Sequence, residues 1–123
     1  MKSVLVIEDN MDNMLLICDI LEANGYSVLQ AETGLKGVAM AEEHMPDFII
    51  LDIQLPDIIG NEVLARIRSN EKTINIPVVA MTSYAMAGDR ERLLAAGCDG
   101  YVEKPINPTI VMEQLKEAVG EKI

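Results

Sequence analysis

The sequence has no tryptophan, one phenylalanine and three tyrosines, so aromatic residues make up only 3% of its 123 positions. A core here has to be assembled from Val, Ile, Leu, Met and Ala. The only cysteines, Cys18 and Cys98, are far apart and have no Cys-x-x-Cys or Cys/His neighbourhood. That excludes a thiolate zinc site and a redox pair, and leaves them as buried, inert thiols. One histidine, His44, is too little for an imidazole metal site. Positive charge is also scarce: 10 Lys and Arg face 20 Asp and Glu, a net charge of −10. Direct binding to nucleic acid or an anionic membrane needs a basic face, so both are disfavoured. No leader segment is expected, and no apolar run approaches the ~20 residues needed to cross a membrane. A cytoplasmic location is expected.

What remains is rich in aliphatics: half the chain is hydrophobic. Short apolar runs alternate with longer stretches of helical period. Strands are expected at Val4–Ile7, Tyr26–Gln30, Phe48–Leu51, Pro77–Met81 and Gly100–Glu103. Between them the spacing predicts helices over about 12–24, 34–44 and 85–96, and one that follows a loop marked by Pro56, Asp57 and Gly60 and runs to about Ser69 with Val63, Leu64 and Ile67 inward. The first carries a stripe of Leu16, Ile17, Ile20 and Leu21 and is stopped by Gly25; Thr33 is placed to cap the second, and Pro46 ends it. A last helix follows Asn107 as N-cap and Pro108 in the first turn, with Val111, Leu115, Ala118 and Val119 inward. Unalternated aliphatic strands are covered on both faces, which implies a parallel sheet. The expectation is an α/β fold: a flavodoxin-like, doubly wound (βα)5 sandwich of three layers with strand order 2-1-3-4-5. One domain, 1–123, accounts for the length.

In an open sheet of this kind, ligands bind beyond the carboxyl ends of the strands, where strand order reverses. The residues leaving the strands there are Glu8-Asp9-Asn10, Asp52, Thr82-Ser83 and Glu103-Lys104-Pro105. Glu8, Asp9 and Asp52 therefore converge between the first and third strands, with Thr82 and Lys104 beyond them. Three such carboxylates repel one another unless a cation is bound. Hard oxygen donors suit Mg²⁺, with Mn²⁺ as a substitute. A carboxylate can also act as a nucleophile and carry a phosphoryl group. Asp52, on the central strand between the acidic pair and Lys104, is the best candidate. Glu8 and Asp9 are better placed to hold the metal; Lys104 and the Thr82 hydroxyl would balance the phosphoryl oxygens. Taken singly, each has a plainer use. Asp9, Asn10 or Asp12 could cap the first helix, and Thr82 the fourth.

Together these segments resemble the receiver domain of bacterial two-component response regulators, along nearly the whole chain. The resemblance rests on 4–10 (VLVIEDN), 47–56 (DFIILDIQLP), Gly60, 76–82 (IPVVAMT), 95–101 (AAGCDGY) and 104–106 (KPI). It implies that Asp52 is the phosphoacceptor. Asp9, Asp52 and the backbone carbonyl of Gln54 would bind the metal directly, and Glu8 through water. Thr82 and Tyr101 would be the switch pair, and Lys104 the partner of a phosphoryl oxygen, with a cis Lys104–Pro105 bond. The side chains of Gln54 and Tyr84 would tune hydrolysis of the acyl phosphate. Glu8, in place of the family's frequent second Asp, and Leu55, in place of its Met, resemble single-domain regulators of the cell-division type and hybrid-kinase receivers.

The resemblance implies a phosphoacceptor switch, not an enzyme acting on external substrates. Its donor would be a histidine kinase or histidine phosphotransfer protein docking near the first helix. Its output would be altered protein binding through helix 4, strand 5 and helix 5, as a monomer or a weak phosphorylation-linked dimer. Met86 would offer an adaptable contact there. No output domain is expected. Two rivals share the fold. A flavin or nucleotide carrier would need a phosphate-cradling loop after the first strand, where this chain has Glu8-Asp9-Asn10-Met11. A small Asp-nucleophile phosphatase would need a substrate-capping insertion, and the chain has no spare residues for one.

Overall fold

The computed structural model describes residues 2–58, 60–83 and 89–120. Tyr84, expected to tune hydrolysis, and Ala85 and Met86, expected at the start of the fourth helix, lie outside the described residues. The elements alternate: β1 (Ser3–Ile7), α1 (Met11–Ala23), β2 (Ser27–Ala31), α2 (Gly34–His44), β3 (Phe48–Asp52), α3 (Gly60–Ser69), β4 (Val78–Thr82), α4 (Asp89–Ala96), β5 (Gly100–Glu103) and α5 (Val111–Val119). The five strands form one parallel sheet in the order β2-β1-β3-β4-β5. This is the expected architecture.

The pleat sends successive residues to opposite faces, and each face has its own aliphatic core. Val4, Val6, Phe48, Ile50, Val79, Met81 and Val102 pack with Met14, Ile17 and Leu21 of α1 and Val111, Leu115 and Val119 of α5. Leu5, Ile7, Ile49, Leu51, Val78 and Ala80 pack with Ala41 of α2, Val63, Leu64 and Ile67 of α3 and Leu93 of α4. Cys18 and Cys98 are both free and buried, one in each layer. β3 and β4 are buried along their whole length, whereas β2 at the edge is buried only at Ala31. That difference explains the weaker hydrophobicity of the second strand.

Helix ends follow local chemistry. Asn10 caps α1, its Oδ1 accepting from the Asn13 N–H at 3.0 Å. Asp9 and Asp12 are thus not needed for that task. Thr33 caps α2 by accepting from Lys36 N–H. Gly97, at φ +115°, ends α4 in a conformation a side chain rarely adopts. The last helix differs in detail from expectation. Asn107 does cap, its Oδ1 accepting from Thr109 N–H, but over 108–110 the chain makes a turn. Its backbone carbonyl is shared between Ile110 and Val111, and the regular helix begins only at Val111. Among the described residues no helix is long and apolar enough to cross a membrane.

Candidate functional site

The parallel register brings the carboxyl ends of β1, β3, β4 and β5 level. Ile7 lies opposite Leu51, Asp52 opposite Met81, and Thr82 opposite Glu103. The residues that follow are held by main-chain bonds that continue the ladders. Glu8 N–H donates to Ala31 O at 3.0 Å, Ile53 N–H to Met81 O at 3.1 Å, and Lys104 N–H to Thr82 O at 2.9 Å. The polar side chains at this end therefore sit on rigid backbone. The Lys104–Pro105 bond is cis, as expected.

Glu8, Asp52 and Thr82 are only 3–4% exposed, while Asp9 stands at the rim, open to solvent. One ligand oxygen from each of Glu8, Asp9 and Asp52 lies within 4.8 Å of the others. Lys104 Nζ is 2.7 Å from Glu8 Oε1 and 3.4 Å from Asp52 Oδ1. Asp52 Oδ1 also accepts the Gln54 backbone N–H at 3.0 Å. The Gln54 side chain reaches the neighbouring strand's exit, with Ser83 Oγ at 3.5 Å from its Oε1.

The electrostatics show a cluster with too much negative charge. Burial pushes the Asp52 carboxyl up to about 6, and the adjacent Glu8 carboxylate adds to this. The Gln54 N–H and Lys104 pull the other way and lose. Asp9 is also raised, first by desolvation at the crevice and then by Asp52. Glu8 Oε2 is buried and has no hydrogen-bond partner among the described residues. A buried carboxylate oxygen in that state is costly. A divalent cation would remove both faults at once. An all-oxygen donor set with one exposed carboxylate and access for water fits Mg²⁺.

All the residues expected at this site and described here are brought to the same end of the sheet, except Tyr101. That side chain is half-buried within β5 and packs with the core layer beneath α3 and α4. Tyr84 lies outside the described residues. One contact near this site was read from the sequence only as a loop. Asp57, in the loop after β3, hydrogen-bonds across to the start of α2: Oδ1 accepts from Gly34 N–H at 2.8 Å and Oδ2 from Leu35 N–H at 2.9 Å. An acidic residue in a Pro/Gly loop normally marks only a turn, and its partners are 22 and 23 residues away.

Known proteins resemble this chain in sequence and fold. Residues 4–116 match the response regulator receiver domain family. The polar-differentiation response regulator DivK of Brucella ovis is 42% identical over 120 residues, covering 98% of each chain. The receiver domain of the sensor histidine kinase PA1611 of Pseudomonas aeruginosa superposes with a TM-score of 0.87 at 32% identity, covering 98% of both chains. Its structure has a magnesium ion coordinated in the active-site cleft. A CheY-like receiver from Methanospirillum hungatei superposes at 0.88 with 31% identity, over 99% of this chain and 96% of that one.

Proposed function

The chain belongs to the response regulator receiver family, whose members are phosphoacceptors served by histidine kinases, and we propose that it works as a stand-alone cytoplasmic switch phosphorylated on Asp52. The observation that carries this reading is the buried Asp52 carboxylate, 3.4 Å from the Lys104 ammonium and clustered with the carboxylates of Glu8 and Asp9. Asp9, Asp52 and the Gln54 backbone carbonyl would hold Mg²⁺ directly and Glu8 through water. Bound there, Mg²⁺ (or Mn²⁺) would supply positive charge to the phosphoryl oxygens.

The residues of the chain supply the rest. An Asp52 oxygen attacks phosphorus in line as the P–N bond of a donor phosphohistidine breaks; the bonding pair returns to the imidazole. The rigid ladder bonds on either side of Asp52 fix its position. Lys104, paired with Glu8 at 2.7 Å before reaction, is within reach of the new phosphoryl group. Thr82, at the end of β4, offers a hydroxyl donor on the same side. Phosphorylation adds roughly two negative charges and strong acceptor oxygens. Movement of Thr82 and Lys104 toward them would draw the chain after β4 along and let Tyr101 rotate inward. The α4–β5–α5 face then binds its target protein differently, with the size of the shift set by how much better the phosphoryl group fits the active state. Gln54 and Tyr84 would set how long the acyl phosphate lasts.

Incubation with Mg²⁺ and a small acyl-phosphate donor, read by intact mass, tests the proposal. The expected result is a gain of one phosphoryl group that needs Mg²⁺ and is absent in Asp52→Ala. A gain that persists in Asp52→Ala would overturn it.

A further inference from the structure

The loop that leaves β3 carries Gln54, and three features fasten it. Its base is closed by Gly60 N–H donating to Ile53 O at 2.9 Å. Gly60 lies so near that a Cβ there would stand 2.6 Å from Ile53 Cα. At the other end, Asp57 grips the first two N–H groups of α2 with both carboxylate oxygens. Beside it, Ile58 is seated where Gly34 has no side chain: a Cβ on Gly34 would lie 2.5 Å from Ile58 Cγ1. The carboxylate lock and the apolar seat therefore hold the same loop against the same helix end. Those N–H groups hold the Asp57 carboxyl below its ordinary range, although it is exposed.

We propose that Asp57 is a positioning residue for the metal and phosphoacceptor site, fixing the Gln54 peptide by anchoring the loop to the start of α2. The proposal rests on the functional reading above, because it concerns the same site. The path is short: Asp57 lies three residues beyond Gln54, whose N–H already holds Asp52 Oδ1. With the loop pinned at both ends, the peptide between Gln54 and Leu55 has little freedom, and its carbonyl is preset for a cation. Loss of the anchor leaves the carboxylates in place but lets that carbonyl wander. The effect should therefore appear as weaker cation binding and leave the intrinsic reactivity of Asp52 alone. Its size should be about three- to tenfold, below the 10–100-fold typical of groups bonded directly to a metal ligand.

Thr33→Ala is the matched control. Thr33 caps the same helix from its own side, its hydroxyl accepting from Lys36 N–H. Mg²⁺ affinity would be measured by calorimetry on wild type, Asp57→Ala, Asp57→Asn and Thr33→Ala, each shown to be folded by its thermal transition. The Mg²⁺ concentration giving half-maximal labelling by an acyl-phosphate donor would be read in parallel. Asp57→Ala should weaken Mg²⁺ about three- to tenfold and raise the half-maximal Mg²⁺ by the same factor. The labelling rate at saturating Mg²⁺ should stay within about twofold of wild type. Asp57→Asn, which keeps an acceptor oxygen, should fall between. Thr33→Ala should lower the melting temperature without moving either Mg²⁺ value. Unchanged Mg²⁺ affinity in Asp57→Ala, or an equal change in Thr33→Ala, would overturn this proposal alone. Absence of Mg²⁺ binding by wild type would overturn it together with the functional reading.

Discussion

Two polar clusters sit at opposite ends of the sheet, and they are built on opposite terms. At the amino ends of β4 and β5, Arg68 donates to Gly97 O at 2.9 Å, Ile74 O at 3.0 Å and Ile76 O at 2.8 Å, and to Asp99 Oδ2 at 2.9 Å. Asp99 Oδ2 also accepts the Val78 N–H at 2.8 Å. One cation meets one carboxylate, and otherwise homeless backbone carbonyls are served. At the carboxyl ends, Lys104 meets both Glu8 and Asp52, with Asp9 nearby, and Glu8 Oε2 is left over among the described residues. The first cluster is complete as it stands and holds the end of α3 to the turn between α4 and β5. The second is balanced only when a cation joins it. An unsatisfied polar cluster held on rigid strands is where a fold gives up stability for chemistry.

The sharpest way to break this contrast is to remove the arginine. Arg68→Ala removes one donor from three carbonyls and leaves the Asp99 carboxylate with the Val78 N–H, and should cost about 3–4 kcal/mol in urea unfolding. Mg²⁺ affinity of the folded protein should not change. The opposite sign is expected at the other end. Without divalent cations at pH 7.5, Asp52→Asn should stabilise the fold by up to about 3 kcal/mol, because it removes a charge whose ionisation the fold resists.

The same carboxyl sets a pH dependence. Its folded value is raised from 3.8 to about 6, so the native state holds a proton that the unfolded chain releases. Between about pH 4 and pH 6 the native state binds more protons, and stability contributed by Asp52 falls as pH rises through that window. Metal-free wild type should show this loss in unfolding measured across the window, and Asp52→Asn should show less of it, keeping only what the raised Asp9 carboxyl contributes. The smallest effect is that of the cation itself. Mg²⁺ at ten times its dissociation constant should add about 1.4 kcal/mol to wild type. Asp9→Asn should lose most of that gain at the same concentration. A gain of equal size in Asp9→Asn would place the ion elsewhere.

The contrast also shows what can be read from a sequence of this kind. The carboxyl-end cluster was legible because the parallel-sheet rule tells which residues leave the strands together: Glu8, Asp52 and Thr82 directly follow an aliphatic residue, and Asp9 and Lys104 come one position after an acidic strand exit. Which of Asp9, Asn10 and Asp12 caps α1 was not legible, since all three have a suitable oxygen. Only the geometry shows Asn10 bonded to Asn13 N–H. The onset of α5 was read early because Asn107 and Pro108 begin a capped turn as readily as a helix. Arg68 carried no readable signal, and Asp57 only that of a loop. Their partners lie 29 and 31 or 22 and 23 residues away for the longest contacts, and no period or motif links positions brought together only by the packing of layers.

The central claim is that Asp52 is the carboxylate that takes the phosphoryl group. An acyl phosphate is cleaved by hydroxylamine, which marks the carboxylate that carried it as a hydroxamate, whereas a phosphate ester on Ser or Thr survives. Wild type labelled with an acyl-phosphate donor in Mg²⁺, treated with hydroxylamine and mapped by peptide mass spectrometry, locates the acceptor directly. The account predicts a hydroxamate on Asp52. A hydroxamate on Asp9 or Asp57, or a hydroxylamine-stable phosphate on Thr82, would contradict it.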